Sequence, residues 1–182
     1  MPMVITGEEI EGLLQNLDLA VESGWDGCTV DTRRVSDMQE FYFESAEGET
    51  DKIVYQILGW PEDGGMADLL VTITILHHGS VGSEQFHTKG HFHNGPDGPE
   101  FVVGYRGVGI LQTGDRSGFR NEVKVERGTH VWIPTGVAHR VINRSDEPVI
   151  YLSVSSAAVG HDYDSVTQLR WKRDITKEEV QV

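Results

Sequence analysis

Residues 87–100, HTKGHFHNGPDGPE, contain three of the eight histidines in the chain and end in a glutamate. His91 and His93 are two positions apart, so in an extended segment both side chains point to the same face. Glu100 follows a turn rich in Gly and Pro and could approach the same point from the next strand. His139 follows a Pro-x-Gly turn in IPTGVAH and could supply a further ligand. Three imidazoles and one carboxylate suit Fe(II), Mn(II), Ni(II), Co(II) or Zn(II), so this set predicts a metal site.

The alternative interpretation of HTKGHFHNGPDGPE is a polar turn between two strands, because the H-x-H pattern alone is a weak signal for a metal site. Other histidines have no partner at ligand spacing, and we interpret them as structural. These are His77, His78, His87 and His130.

The elements that must position these side chains are short strands. From about residue 52 the chain consists of runs rich in Val, Ile, Thr and aromatic residues, separated by Gly, Pro, Asn and Asp. They include KIVYQIL, LLVTITILH, EFVVGY, HVWIP and PVIYLSVS. This pattern is typical of an antiparallel all-β sandwich or barrel and not of βαβ units. We therefore predict an all-β fold, an antiparallel β-barrel or jelly roll.

The N-terminal part of the chain has helical signals instead. A short helix is predicted by apolar residues at i, i+3, i+4 and i+7, which are Ile10, Leu13, Leu14 and Leu17. Residues 36–39, SDMQ, fit a capping box that opens a second short helix. The chain is predicted to be one domain, with residues 1–50 as a helical N-terminal extension packed on the barrel. Residues 51–166 form the barrel, and residues 167–182 form a C-terminal tail or peripheral strand.

Composition and charge argue against several classes of function. The 15 basic and 29 acidic residues give a net charge of −14, whereas sequence-independent nucleic-acid binding depends on Lys and Arg at phosphates. An anionic small substrate stays compatible, because the local field of a pocket can oppose the net charge. No apolar run approaches the roughly 20 residues that span a bilayer, and the N-terminus lacks a signal-peptide pattern. The single cysteine, Cys28, cannot form an internal disulfide, which favours a cytoplasmic setting.

The wider spacing of the candidate ligands resembles the two motifs of the cupin superfamily. The first is His91-x-His93, six residues, Glu100, six residues and Gly107. The second is GTHVWIPTGVAHRVIN (128–143), and 20 residues separate the two motifs. The resemblance implies a small β-barrel that holds one divalent transition metal ion per chain, foremost Fe2+. The implied ligands are His91, His93, Glu100 and His139.

A narrower resemblance runs from about residue 30 to residue 166. The segments HTKGHFH, IPTGVAHRVIN, SSAAVGHDYDSV and RRVSDMQEFY look like those of the cupin-type glucose-6-phosphate isomerases. This implies interconversion of glucose 6-phosphate and fructose 6-phosphate by a homodimer. The implied phosphate-binding residues are Tyr55, Thr74, Thr88 and Gly90. Glu100 is implied as the catalytic base, with His161 and Tyr163 near the sugar; a metal-assisted hydride shift, which needs no base, is the alternative mechanism.

Several positions depart from the family pattern. Gln85 stands where the first cupin motif begins with Gly, and the gap between His93 and Glu100 is longer than is common. Val102 and Ser155 stand where the family often has tyrosines that line the sugar pocket. These departures keep open an isomerase of another phosphosugar, such as mannose 6-phosphate. An Fe(II) dioxygenase and a non-enzymatic metabolite-binding module are the alternatives from other classes.

Overall fold

The computed structural model of the chain describes residues 29–45, 48, 50–60, 69–94, 98–117 and 120–168. The first predicted helix, Cys28 and nearly all of the predicted C-terminal segment lie outside the described residues. The three segment boundaries therefore stay predictions. No helix in the described ranges is long and apolar enough to cross a membrane.

Within these ranges the chain forms short strands and two short helices. The strands are β1 (Thr29–Arg34), β2 (Ile53–Trp60), β3 (Leu69–Leu76), β4 (Ser80–Val81), β5 (Glu84–Gln85), β6 (Phe92–Asn94), β7 (Glu100–Arg106), β8 (Gly109–Gly114), β9 (Arg120–Val125), β10 (His130–Ile133), β11 (Ala138–Asn143), β12 (Val149–Ser156) and β13 (Gly160–Asp162). A 3₁₀ helix, Val35–Phe41, follows β1, and the α-helix α1 (Asp164–Gln168) follows β13.

The strands form antiparallel sheets around one core. The largest sheet has six strands in the order β1-β2-β3-β12-β7-β10, and a second sheet has the order β11-β8-β9. Two further pairs are β13-β6 and β4-β5, and all pairings in the described ranges are antiparallel. The prediction of an antiparallel all-β barrel is confirmed.

The core lies between the six-stranded and the three-stranded sheets. Val54, Leu76 and Val149 of the large sheet form one buried cluster with Leu111 and Val141 of the smaller one. Alternating residues along each strand supply this inner face, and their burial is the main stabilising term of the fold. The same alternation directs polar residues of β3, β7 and β12 to the lining of a cavity.

The segment before β6 is held along β11, which matters for the site. The backbone of Asn143 donates to the carbonyl of Phe86 at 2.9 Å, and that of Thr88 donates to the carbonyl of Val141 at 2.9 Å. His91 closes the same series with an isolated bridge to His139. The chain between β5 and β6 therefore follows β11 in an extended path.

The predicted second helix is present, although its start differs from the capping box. The 3₁₀ helix begins at Val35 with Arg34 as its N-cap, and the carboxylate of Asp37 accepts a hydrogen bond from the Arg34 backbone at 2.8 Å. Asp37 thus satisfies a free backbone donor at the helix start, which is the role of an acidic side chain in the first turn. Val35 and Met38 are buried in the barrel core.

Candidate metal centre and substrate cavity

The four predicted metal ligands converge on one point. Each of His91, His93, Glu100 and His139 offers one ligand atom, and these atoms all lie within 4.8 Å of one another. His93 lies on β6, Glu100 begins β7 and His139 lies on β11, so three strands supply the set. The predicted same-face arrangement of His91 and His93 is visible as ring stacking, with centroids 4.9 Å apart.

The donor atoms fit a divalent transition metal ion. Nε2 of His91 and Nε2 of His139 are buried and make no hydrogen bond with the residues that the structure describes. Nε2 of His93 and Nε2 of His139 lie 3.1 and 3.0 Å from the same oxygen, Oε2 of Glu100. Such orphaned imidazole nitrogens beside a buried carboxylate are costly without a cation, and a cation at their centre would satisfy all of them.

His93 is oriented by a second contact outside the cluster. Its Nδ1 donates a hydrogen bond to the backbone carbonyl of Gly98, in the turn that leads to Glu100. A ligand histidine whose Nδ1–H is held in this way presents Nε2 to the metal in a fixed tautomer. The carbonyl of Gly98 therefore positions His93.

The pKa shifts in the cluster arise from burial and from the close approach of the imidazoles to one another and to a carboxylate. Burial opposes ionisation of Glu100, but the electrostatic attraction of the adjacent His139 and the hydrogen bond from His93 hold its pKa well below the ordinary value. Burial also opposes protonation of His93, yet the hydrogen bonds to Glu100 and Gly98 raise its pKa. Burial, followed by repulsion from His139 and His161, lowers the pKa of His91. Glu100 is thus an anion, the form in which a carboxyl side chain binds a metal ion.

A cavity of about 390 Å³ opens beside the cluster. It is lined by the predicted metal-site residues His91, Glu100 and His139, by all four predicted phosphate-binding residues, and by His161 and Tyr163. Every residue that the resemblance assigned to the substrate therefore borders one space. Its volume lies within the range of small-molecule sites.

The predicted phosphate-binding residues cluster on one side of this cavity. Thr88 is fixed to β11, since its hydroxyl accepts a hydrogen bond from the backbone of Val141 at 3.1 Å. Tyr55 is buried, and burial, partly offset by a backbone hydrogen bond from Lys89, raises its pKa. Tyr55 and Thr74 come from adjacent strands, β2 and β3, and both line the cavity.

Gly90 has a conformation that requires glycine. Its φ is +73°, and a Cβ there would lie 3.0 Å from Cβ of Arg140 and 3.2 Å from the carbonyl oxygen of His139. The chain can pass this close to β11 only without a side chain. Gly90 thereby brings the chain to the cavity wall, where its own amide can donate to an anion.

His161 and Tyr163 cover the metal cluster from the side of β13. The His161 ring packs edge-on against the His91 ring at 4.2 Å, and the Tyr163 ring lies 5.9 Å from the His91 ring. Strand register explains the first contact, because His161 of β13 is paired with His93 of β6. Burial and the neighbouring His93 lower the pKa of His161, which favours the neutral imidazole.

Sequence reasoning missed one residue of the phosphate side, Tyr151. It lines the cavity on β12, and its cross-strand partner on β3 is Thr74. Burial raises its pKa, and hydrogen bonds with Thr74 and Thr88 oppose part of that rise. The alternation of polar residues in PVIYLSVS is a signal for one inward face that includes this tyrosine.

The fold and the site define the chain as a metal-site cupin, an antiparallel β-barrel that carries three histidines and one glutamate beside a substrate-sized cavity. A family model described as glucose-6-phosphate isomerase (GPI) matches residues 30–181. The chain is 35% identical over 173 residues to the glucose-6-phosphate isomerase of Thermococcus kodakarensis, covering 91% of this chain and 90% of that protein. It is 34% identical to that of Pyrococcus furiosus, with 86% of each chain covered. The chain therefore belongs to the cupin-type glucose-6-phosphate isomerase family, as the sequence motifs predicted.

One solved structure shows a more distant likeness. A sugar phosphate isomerase from a cupin superfamily of Silicibacter pomeroyi is 24% identical and superposes with a TM-score of 0.43. The superposition covers 57% of this chain and 59% of that one. A score of this size adds nothing to the family assignment, which depends on the sequence relatives alone.

Proposed function

We propose that this chain is a metal-dependent aldose–ketose isomerase that interconverts glucose 6-phosphate and fructose 6-phosphate, with the cavity beside the metal cluster as its active site. The observation that carries the proposal is that the cavity joins the two chemical requirements of the substrate. It is bordered by the buried Glu100 among the histidine nitrogens, and also by hydroxyl groups and the Gly90 amide. Membership of the isomerase family gives the reaction class.

His91, His93, Glu100 and His139 would hold the metal ion, Fe2+ in our first assignment and otherwise Mn2+, Ni2+, Co2+ or Zn2+. When bound, the ion would polarise the oxygens on C1 and C2 of the sugar and stabilise negative charge that develops on them. The remaining chemistry belongs to the side chains of the chain.

Glu100 acts as the base in the proposed mechanism. Its carboxylate, kept ionised by the neighbouring imidazoles, removes the proton on C2 of the open-chain aldose and returns it to C1. The proton on the C2 hydroxyl must move to the C1 oxygen in the same conversion. His161 and Tyr163, which border the cavity beside His91, are the groups that can relay it. A hydride shift from C2 to C1 would leave Glu100 as a ligand only.

The phosphate is held by neutral donors in this proposal. Tyr55, Thr74, Thr88 and the amide of Gly90 border the cavity, and hydroxyls and amides of this kind bind phosphate oxygens. The cations Arg33, Lys89 and Arg140 line the same cavity. The net charge of −14 is compatible with this arrangement, because the donors act at short range. Holding the phosphate fixes the distance of C1 and C2 from Glu100.

The test is a coupled assay of fructose 6-phosphate conversion with chelated protein reconstituted in turn with Fe(II), Mn(II), Co(II), Ni(II) and Zn(II). Turnover that requires one or more of these ions, and that is abolished in His139→Ala, is the expected result. Mannose 6-phosphate is assayed in parallel, since Val102 and Ser155 border the same cavity. No turnover of fructose 6-phosphate with any ion would overturn the proposal, and oxygen uptake with substrate would assign a dioxygenase instead.

We also propose that the chain acts as a homodimer. Phe101 and Trp132 are register partners on β7 and the edge strand β10, and both are exposed, Trp132 by 64%. An exposed aromatic pair on a sheet edge supports pairing through the sheets. Light scattering after gel filtration measures the mass, and a monomer at micromolar concentration would contradict the proposal. The cytoplasmic setting stays a prediction.

A further inference from the structure

The strand register of the large sheet gives the positions of the lining residues along the cavity. Tyr151 and its partner Thr74 stand at one level, on the phosphate side. Ser155 and its partner Glu100 stand at another, on the metal side. The two levels are four residues apart on β12, which corresponds to about 13 Å at the usual strand rise. A sugar phosphate that reaches from one level to the other must cross the residues between them.

One pair of hydroxyl residues occupies the level halfway between. Ser153 lies two residues from both Tyr151 and Ser155, so its side chain is on the same inner face. Its partner on β3 is Thr72, and both residues line the cavity. On the other side of Ser153, its partner on β7 is the apolar Val102.

The hydroxyls of Ser153 and Thr72 are available to hydrogen-bond a ligand. Neither the Ser153 nor the Thr72 hydroxyl makes a hydrogen bond with the residues that the structure describes, although the other hydroxyls of this wall, those of Thr88 and Tyr151, are engaged with protein groups. Ser153 is 93% buried, with a relative exposure of 7%. A buried hydroxyl that faces a cavity without a protein partner is a donor and acceptor for whatever fills the cavity.

We propose that Ser153 and Thr72 determine substrate specificity by hydrogen-bonding the hydroxyls in the middle of the sugar chain, on C3 to C5. The inference rests on the proposed function, since it takes the phosphate and the reacting carbons as the two ends. A hydroxyl on each of two adjacent strands can both donate to and accept from a sugar hydroxyl. Val102, the β7 partner of Ser153, would contact the carbon chain of the sugar with an apolar side chain.

The test combines variants with deoxy substrates. Ser153→Ala and Thr72→Val remove one hydroxyl each with little change of shape. Each variant should lower kcat/KM for glucose 6-phosphate by about 3-fold to 10-fold, the usual worth of one neutral hydrogen bond. The substrates 3-deoxy-, 4-deoxy- and 5-deoxy-glucose 6-phosphate are then compared. With the analogue that lacks the partner hydroxyl, the wild type and the variant should differ by less than about 2-fold, because the bond is absent from both.

Ser156→Ala is the matched control, since it makes the same chemical change on the outward face of the same strand. It should leave kcat/KM unchanged for all four substrates. Ser153→Thr keeps a hydroxyl and should retain more activity than Ser153→Ala if the hydrogen bond is the cause.

Two failures are distinguishable. If the wild type converts glucose 6-phosphate but the effect of Ser153→Ala and Thr72→Val is absent, or is the same with every deoxy analogue, the inference is overturned and the proposed function stands. If the wild type converts no sugar phosphate under any metal condition, the proposed function fails, and with it the assignment of these residues.

Discussion

His91 and His139 exchange both of their backbone hydrogen bonds, N–H to carbonyl oxygen at 3.2 Å in each direction, although the two residues are far apart in the chain. Their ring centroids lie 4.5 Å apart. This exchange locks the chain before β6 to β11 at the point where both side chains meet Glu100. Two of the predicted metal ligands are therefore positioned by backbone pairing, and such preorganisation is what a metal site requires.

Glu100→Gln is expected to distinguish the role of Glu100 as a base from its role as a metal ligand. The amide keeps the shape and one coordinating oxygen but cannot accept the C2 proton, so kcat should fall about 10²-fold to 10⁴-fold. Bound metal is measured on the same samples by mass spectrometry and should be retained. Glu126→Gln, which alters an exposed carboxylate paired with Lys124, is the control.

Solvent exchange tests the same step independently. If Glu100 transfers a proton, product formed in D₂O should contain deuterium at the carbon that received it. Product that retains all of the original hydrogen, together with high activity of Glu100→Gln, would support the hydride shift and contradict our assignment.

Gly98→Ala is expected to weaken metal binding through His93. A Cβ on Gly98 would lie 2.6 Å from Cβ of His93, so the turn must move and its carbonyl must leave Nδ1 of His93. Loss of such an outer contact lowers metal affinity by about 10-fold to 100-fold. Competition with a fluorescent chelator measures it. Gly128→Ala, at a glycine with φ +85° and nothing within 4 Å, is the control for backbone strain, and equal loss in both variants would contradict the explanation.

His87 is expected to make the fold sensitive to acid. It is buried, and its Nδ1 donates to the carbonyl of Thr88 at 2.8 Å. Burial and the nearby Arg140 lower its pKa to about 3. Between that value and its ordinary pKa, the unfolded chain binds a proton that the folded chain does not, so stability is full above the ordinary pKa and falls as the pH falls.

The change His87→Phe removes this proton uptake and keeps a ring against Tyr42, whose centroid is 4.6 Å from that of His87. Between pH 7 and pH 4, the wild type should lose about 3 kcal/mol more unfolding free energy than the variant. Urea titrations at the two pH values measure the difference. Parallel loss of stability in both proteins would show that other groups cause the acid sensitivity.

Arg116 lies in the turn between β8 and β9. It connects the segment from β13 to α1, which contains His161 and Tyr163, with Phe92 on β6. Its guanidinium donates to Oγ of Ser165 at 3.1 Å and to Oδ2 of Asp162 at 3.2 Å. It also lies 4.4 Å from the ring centroid of Phe92, the residue between His91 and His93. Asp162 accepts a hydrogen bond from the Ser165 backbone at 2.9 Å, so the start of α1 belongs to the same network.

Arg116→Ala is therefore expected to lower kcat by about 10-fold or more, because small displacements of catalytic groups are costly. The melting temperature should change little, since the arginine side chain is 65% exposed and exposed ion pairs add little stability. Arg127→Ala, which removes an exposed arginine from the next turn, should leave kcat unchanged. A fall in melting temperature with unchanged kcat of the folded fraction would assign Arg116 a structural role only.

The sequence by itself determined the strand-rich fold and the ligand set. Both are carried by local patterns: the alternation within each run, and the spacing of His91, His93 and Glu100 around one turn. His139, after its Pro-x-Gly turn, was a further candidate ligand from the residues alone, and the family resemblance added the residues around Gly90 by position. All of them border one cavity, because the motif spacing reflects strand and turn lengths that the fold preserves.

Only the tertiary structure decided which side chains meet across strands. Tyr151 contacts Thr74 and Thr88, Ser153 faces Thr72, and Arg116 reaches Asp162, and none of these pairs is encoded by spacing along the chain. A shift of register by one residue would turn every one of these strand side chains to the opposite face. Register depends on packing of the whole core. For that reason the sequence could name the candidate metal ligands but not the side chains that lie between them and the proposed phosphate-binding residues.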